Sequence, residues 1–214
     1  MKWRPGKFDY VFFFLVFLDL WAMYLYPGLR LLTKPLIVSS LLLYYIAVAG
    51  DYQQPLVMLG LIFALLGDIF LMFDYPMFFQ MGLASFLVMQ LCYISIFRKY
   101  EGGLNVRGWV GIGFVLLVAA SFNLFFGDEF GDLRWPVLLY TAAISAMVIT
   151  AVYQRSTALI TWGAVLFMVS DLCLAFHKFV AAIPAEGLIV MLTYAAAQFL
   201  IVKGFLHPFQ KAAT

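Results

Sequence analysis

Charged side chains are scarce in this sequence. Lys, Arg, Asp and Glu together make up 11% of its 214 residues, against about 25% in soluble domains. The net charge of +2 gives no basis for a nucleic-acid partner. Cysteine is nearly absent: Cys92 and Cys173 both lie in apolar stretches, which leaves neither a disulfide framework nor a CxxC metal site. Histidine is limited to His177 and His207, which read as interfacial residues. A zinc centre built on three histidines is therefore excluded, although a metal held mainly by carboxylates is not. No metal and no cofactor is expected. The G-x-S-x-G motif is missing and neither histidine has an obvious serine partner, so serine chemistry has little support, with Ser170 beside Asp171 a weak candidate.

What is abundant is apolar. Hydrophobic residues account for 65% of the chain, with 23 Phe, 12 Tyr and 5 Trp, and the mean hydropathy is +1.00. Such a chain is dissolved by lipid rather than water. A spanning helix needs about 20 mostly apolar residues, and the polar breaks cut the sequence into eight such pieces: 8–26, 33–49, 55–73, 77–97, 108–126, 135–153, 157–178 and 186–206. The breaks carry helix punctuation, among them Pro27-Gly28, Gly50-Asp51, Asp74-Tyr75-Pro76 and Ile183-Pro184. The predicted fold class is all-α, a polytopic bundle of eight transmembrane helices forming a single transmembrane domain over 1–214. The basic, then apolar, N-terminus is longer than a signal-peptide core and shows no small-residue cleavage site, so it is read as a retained first span.

Basic loops stay cytoplasmic. Alternating the spans puts Lys2, Arg4, Lys7, Arg98, Lys99, Arg107, Arg155, Lys203 and Lys211 on one side, with Arg30, Lys34, Arg134 and Lys178 on the other. The majority side is predicted to be cytoplasmic and to hold both termini. The expected location is a cell membrane, the inner one in a bacterium.

Two spans echo each other. The third reads GLIFALLGDIFLMF from Gly60 and the seventh GAVLFMVSDLCLAF from Gly163, with Gly, Asp, Leu and Phe at equal offsets. Four spans separate them, so both helices run the same way, as in a parallel repeat of two four-helix halves. The other span pairs show no such echo. Gly60, Ala64 and Asp68 fall on an i, i+4 row, as do Gly163, Phe167 and Asp171. Counting from the outer loops predicts similar depths for Asp68 and Asp171. A carboxylate at the bilayer centre costs about 2.5–3.5 kcal/mol on insertion scales, and two close together favour sharing one proton. One acid beside one base is what general acid–base hydrolysis requires. The structural alternative is that each caps or hydrogen-bonds a neighbouring helix.

Other polar residues fall in the same outer half: Asp19, Lys34, Asn123, Tyr140, Tyr194 and Gln198, with Gln90 and Tyr93 deeper. Lys34, just before Pro35, is placed to pair with an aspartate, to receive a lipid phosphate or to snorkel to the interface. Asp19 is as readily a structural hydrogen-bonding residue as a functional one. Tyr140, Tyr194 and Gln198 read as packing or supporting groups. A channel lacks its filter-like signature here. A small proton-coupled transporter using the same two acids is the stronger alternative to an enzyme.

Five segments in order, Lys34-Pro35-Leu36, the Asp68 stretch, FLVMQLCYI, the Asp171 stretch and YAAAQFLIV from Tyr194, resemble the YhhN-like lysoplasmalogenase family of eight-span membrane proteins. Where that family commonly carries a histidine in the fourth span, this sequence has Gln90, which removes a titratable group from that position. The resemblance implies hydrolysis of a lysoplasmalogen vinyl ether to a fatty aldehyde and a glycerophospho-alcohol, with a lysophospholipid entering from the surrounding membrane lipids. It implies Asp68 and Asp171 as the catalytic pair. Lys34, Tyr140, Tyr194, Gln198, Gln90 and Asn123 are the substrate-binding candidates.

Overall fold

The computed structural model describes residues 6–100, 102–154 and 157–212, with side chains described as far as His207. Lys2, Arg4 and Arg155, all counted for orientation, lie outside these residues, as does the side chain of Lys211. Eight α-helices follow one another: α1 Lys7–Leu25, α2 Arg30–Ala49, α3 Pro55–Phe70, α4 Pro76–Phe97, α5 Val106–Phe126, α6 Arg134–Tyr153, α7 Ala158–Phe179 and α8 Glu186–Ala212. Seven of the helical segments are long and apolar enough to cross a membrane; α3, at 16 residues, is the shorter apolar one. The protein is an integral, multi-pass membrane protein with an all-helical fold.

The outer faces show which solvent the fold expects. On α5, Trp109, Val110, Phe114, Leu117, Leu124 and Phe125 are each at least 63% exposed, an arrangement that water would penalise and lipid does not. Several hydroxyls within the helices are satisfied by the preceding turn. Ser85 donates to the Met81 carbonyl, Thr141 to Val137, Ser145 to Thr141 and Thr193 to Ile189, all at 2.7–2.8 Å. No water is needed for them.

The chain divides into two compact units, Met1–Met89 and Gln90–Thr214, with the division inside α4. In the first, α1 packs on α2 and α2 on α3, around Phe12, Val16, Ile37, Leu41, Val57 and Leu61. The Tyr45 hydroxyl accepts the Gln54 N–H at 2.9 Å, tying the end of α2 to the start of α3. Pro55 occupies the first turn of α3, where its missing N–H costs nothing. The helix then stops at Phe70, with residues 71–73 in turns. The predicted third span ran three residues further; apolar sequence continues there, but the chain is already turning toward Pro76, and hydropathy does not register a turn.

In the second unit α7 and α8 form the most extensive helix pair, flanked by α6 and, beyond it, α5. Gly163 explains the closeness. A Cβ there would lie 2.6 Å from the Ile201 side chain and 2.9 Å from the Ala197 carbonyl oxygen, so only glycine lets the two backbones meet in this way. Apolar packing at the α5–α6 turn joins Phe122, Phe130 and Val137 with Phe126, Leu172 and Phe176.

Candidate functional site

Asp68 is carried on the buried stripe of α3, with Val57, Gly60, Leu61, Ala64 and Gly67. This is the small-residue row expected from the sequence. The residue is 2% exposed, yet it lies two residues from the helix end at Phe70, about 3 Å along the axis, rather than five residues inside a span ending at 73. The shorter helix accounts for the difference.

Elsewhere in the first unit a second acid is fully committed to structure. Asp19, at 0% exposure, accepts the Thr33 hydroxyl at 2.7 Å, and its other oxygen lies 3.6 Å from Arg30 Nε. Together they bind α1 to the start of α2. Of the two readings open for Asp19, the structural one describes its contacts. Lys34, the next residue after Thr33, is half-buried.

The second unit gathers most of the remaining candidates. Asp171 on α7 is partly buried and accepts a hydrogen bond from the Tyr140 hydroxyl of α6. The sequence reading made Tyr140 a supporting group and a substrate-binding candidate; in the structure it touches the acid directly. Beside the Tyr140 hydroxyl lies the Gln90 side chain. Gln90 is 0% exposed; its amide N–H faces the phenol oxygen, and its amide oxygen has no hydrogen-bond donor among the described residues.

Gln198, also at 0% exposure, is engaged otherwise. Its Oε1 accepts from Tyr93 at 3.1 Å, and Tyr93 in turn packs edge-on against Phe205. Tyr194 stands edge-on to Phe167, ring centres 5.7 Å apart. These contacts hold α8 to α4 and α7. Ser170 donates to the Val190 carbonyl at 3.0 Å, which makes it a pin between α7 and α8. Asn123 donates to the Ala119 carbonyl of its own helix at 2.8 Å, while its buried Oδ1 has no partner among the described residues. His177 Nδ1 accepts the Ile183 N–H at 3.0 Å, closing the turn before α8.

A phenol bound to a carboxylate, with a buried amide beside it, can hold a proton, present a carboxylate and bind a small polar group. Among the described residues no three His, Cys, Asp or Glu side chains converge in a way that could hold a metal ion. The signal for Tyr140 was present in the sequence as a tyrosine within an apolar span. What was missing was its register against Asp171.

Comparison with known proteins fits this picture. Lysoplasmalogenase TMEM86A of Bos taurus is 30% identical over 154 residues, 68% of this chain and 62% of the bovine protein. The lysoplasmalogenase of Mycobacterium tuberculosis is 34% identical over 132 residues, 59% of this chain and 51% of that protein. Lysoplasmalogenase TMEM86B of Sus scrofa is 31% identical over 200 residues, 92% of this chain and 85% of its own. The chain thus spans under two thirds of the bovine and mycobacterial relatives but most of the porcine one. No solved structure matches. The sequence pattern of the YhhN family covers residues 29–205, from α2 through most of α8, and the chain belongs to the YhhN family.

Proposed function

We propose that the protein is a membrane-embedded hydrolase that cleaves the vinyl ether of lysoplasmalogens to a fatty aldehyde and a glycerophospho-alcohol. The relatives that carry the name lysoplasmalogenase support the reaction class. The observation that carries a site reading is the Tyr140–Asp171 hydrogen bond beside buried Gln90.

Vinyl ethers open by protonation at the β-carbon. The proton converts the alkene and ether oxygen into an oxocarbenium ion, water adds to the α-carbon with loss of a proton, and the hemiacetal collapses to the aldehyde and the freed alcohol. One water is consumed and the catalytic proton is returned. The protein must therefore supply a proton donor and an anionic group that stabilises the cation and orients water. Asp171, accepting from a phenol, suits the carboxylate role. Asp68, buried on its small-residue stripe, is assigned the donor role. Lys34, half-buried at the start of α2, is assigned to the lipid phosphate. Both termini are assigned to the cytoplasm on the lysine and arginine balance.

The decisive experiment incubates the purified protein with a lysoplasmalogen and with its saturated 1-alkyl counterpart. Aldehyde is expected from the vinyl ether alone. Transport of either lipid across sealed liposomes without aldehyde release would overturn the hydrolase reading.

A further inference from the structure

The Gln90 amide is buried with its oxygen unmet. The residue is 0% exposed, and the amide oxygen has no donor among the described residues. A buried acceptor left in that state is costly. Tyr140 relieves only the other end: its proton goes to Asp171, which leaves the phenol oxygen free to face the amide N–H. The residues at this point of α4, α6 and α7 thus offer three different groups: an amide oxygen in want of a donor, a phenol and a carboxylate.

That combination selects its ligand by chemistry. A phosphate is an acceptor, so it would leave the amide oxygen unmet and face the Asp171 carboxylate. An ester carbonyl would likewise leave it unmet, as would an alkyl chain. A hydroxyl can donate to it. In the proposed substrate there is one such group on the glycerol backbone, on the carbon next to the one that bears the vinyl ether.

We propose that Gln90 is the specificity residue that binds the free glycerol hydroxyl of the lysolipid, placing the neighbouring ether beside Asp171 and discriminating against lipids in which that hydroxyl is acylated or absent. The proposal rests on the vinyl-ether hydrolase reading of the site. A site built to bond a substrate hydroxyl rejects analogues lacking it far more strongly than an apolar pocket does.

The test uses the full chain in detergent micelles with three 1-alkenyl lipids that differ only at the second glycerol carbon: hydroxyl, hydrogen and O-methyl. For the wild-type protein, kcat/KM for aldehyde release is expected to be about tenfold to a hundredfold higher for the hydroxyl lipid than for the other two. In Gln90→Leu, and in Gln90→Met with its unbranched chain of similar length, this preference should fall to within about threefold of unity. A wild-type protein without the preference overturns the proposal, and that arm needs no variant to fold. So does a Gln90→Leu protein that slows all three lipids equally, which is what a bound water or a purely structural amide predicts. Binding of non-cleavable 1-alkyl lipids with and without the hydroxyl, read by thermal shift, separates the two layers. Hydroxyl-dependent binding lost in Gln90→Leu upholds the assignment of Gln90 even where no aldehyde is released, an outcome that would overturn the reaction instead.

Discussion

The hydroxyl of Tyr140 on α6 donates its hydrogen bond to Oδ2 of Asp171 on α7, joining residues 31 positions apart. It fixes the rotamer of the acid and ties two adjacent helices in a place where water is scarce.

Tyr140→Phe removes that donor and keeps the ring. A hydrogen bond to a charged group contributes about 1.5–3 kcal/mol, so kcat for aldehyde release should fall about tenfold to a hundredfold. Circular dichroism should show unchanged helix content. A variant with wild-type kcat would remove Tyr140 from the site.

Asp68→Asn and Asp171→Asn keep side-chain volume and lose the carboxyl chemistry. Each is expected to lower aldehyde release by at least about a hundredfold while eluting as a folded protein in size-exclusion chromatography. Near-normal cleavage in both would sink the acid–base assignment. Loss of folding in both would return the acids to a structural role.

Thr33→Val breaks the contact with Asp19 and leaves a buried carboxylate oxygen without its 2.7 Å donor. The expected loss is about 1–3 kcal/mol, seen as a lower melting temperature in detergent. The selectivity between vinyl ether and alkyl ether should not move, because these residues tie α1 to α2 and are assigned no part in the reaction.

Gly163→Ala and Gly111→Ala form a matched pair. At Gly163 the new methyl meets Ile201 and the Ala197 carbonyl, whereas at Gly111 nothing lies within 4 Å. The first should cost about 1–3 kcal/mol through forced separation of α7 and α8. The second should leave the melting temperature unchanged or raise it slightly. Equal effects would contradict close α7–α8 packing.

Cysteines introduced at Lys99 and Asp132, both exposed and on either side of α5, test the assigned orientation in a background lacking Cys92 and Cys173. An impermeant maleimide added to intact cells should label the Asp132 position and spare the Lys99 position. The reverse pattern would place the termini outside.

Sequence alone determined the solvent, the helices and the stripes. Hydropathy registers directly how long a segment is willing to leave water, and Pro, Gly and Asp clusters mark where it stops, so seven spans could be read with ends close to the observed ones. The i, i+4 spacing of Gly60, Ala64 and Asp68 announced a buried face that the structure has. It also picked out Asp171, although not its partner. The third span was overread because Leu71, Met72 and Phe73 are apolar whether helical or turning.

Tertiary structure decided the pairings. Whether Tyr140 meets Asp171, whether Thr33 answers Asp19, and whether Gln198 is taken by Tyr93 depend on the rotation and depth of one helix against another. Those are set by close contacts such as Gly163 against Ala197 and Ile201. An apolar helix gives little sign of its rotation, since lipid and protein interior are alike to its side chains. The two acids that composition made conspicuous therefore acquired their distinct settings only in the folded chain: Asp68 near the end of a short helix, Asp171 held by a phenol.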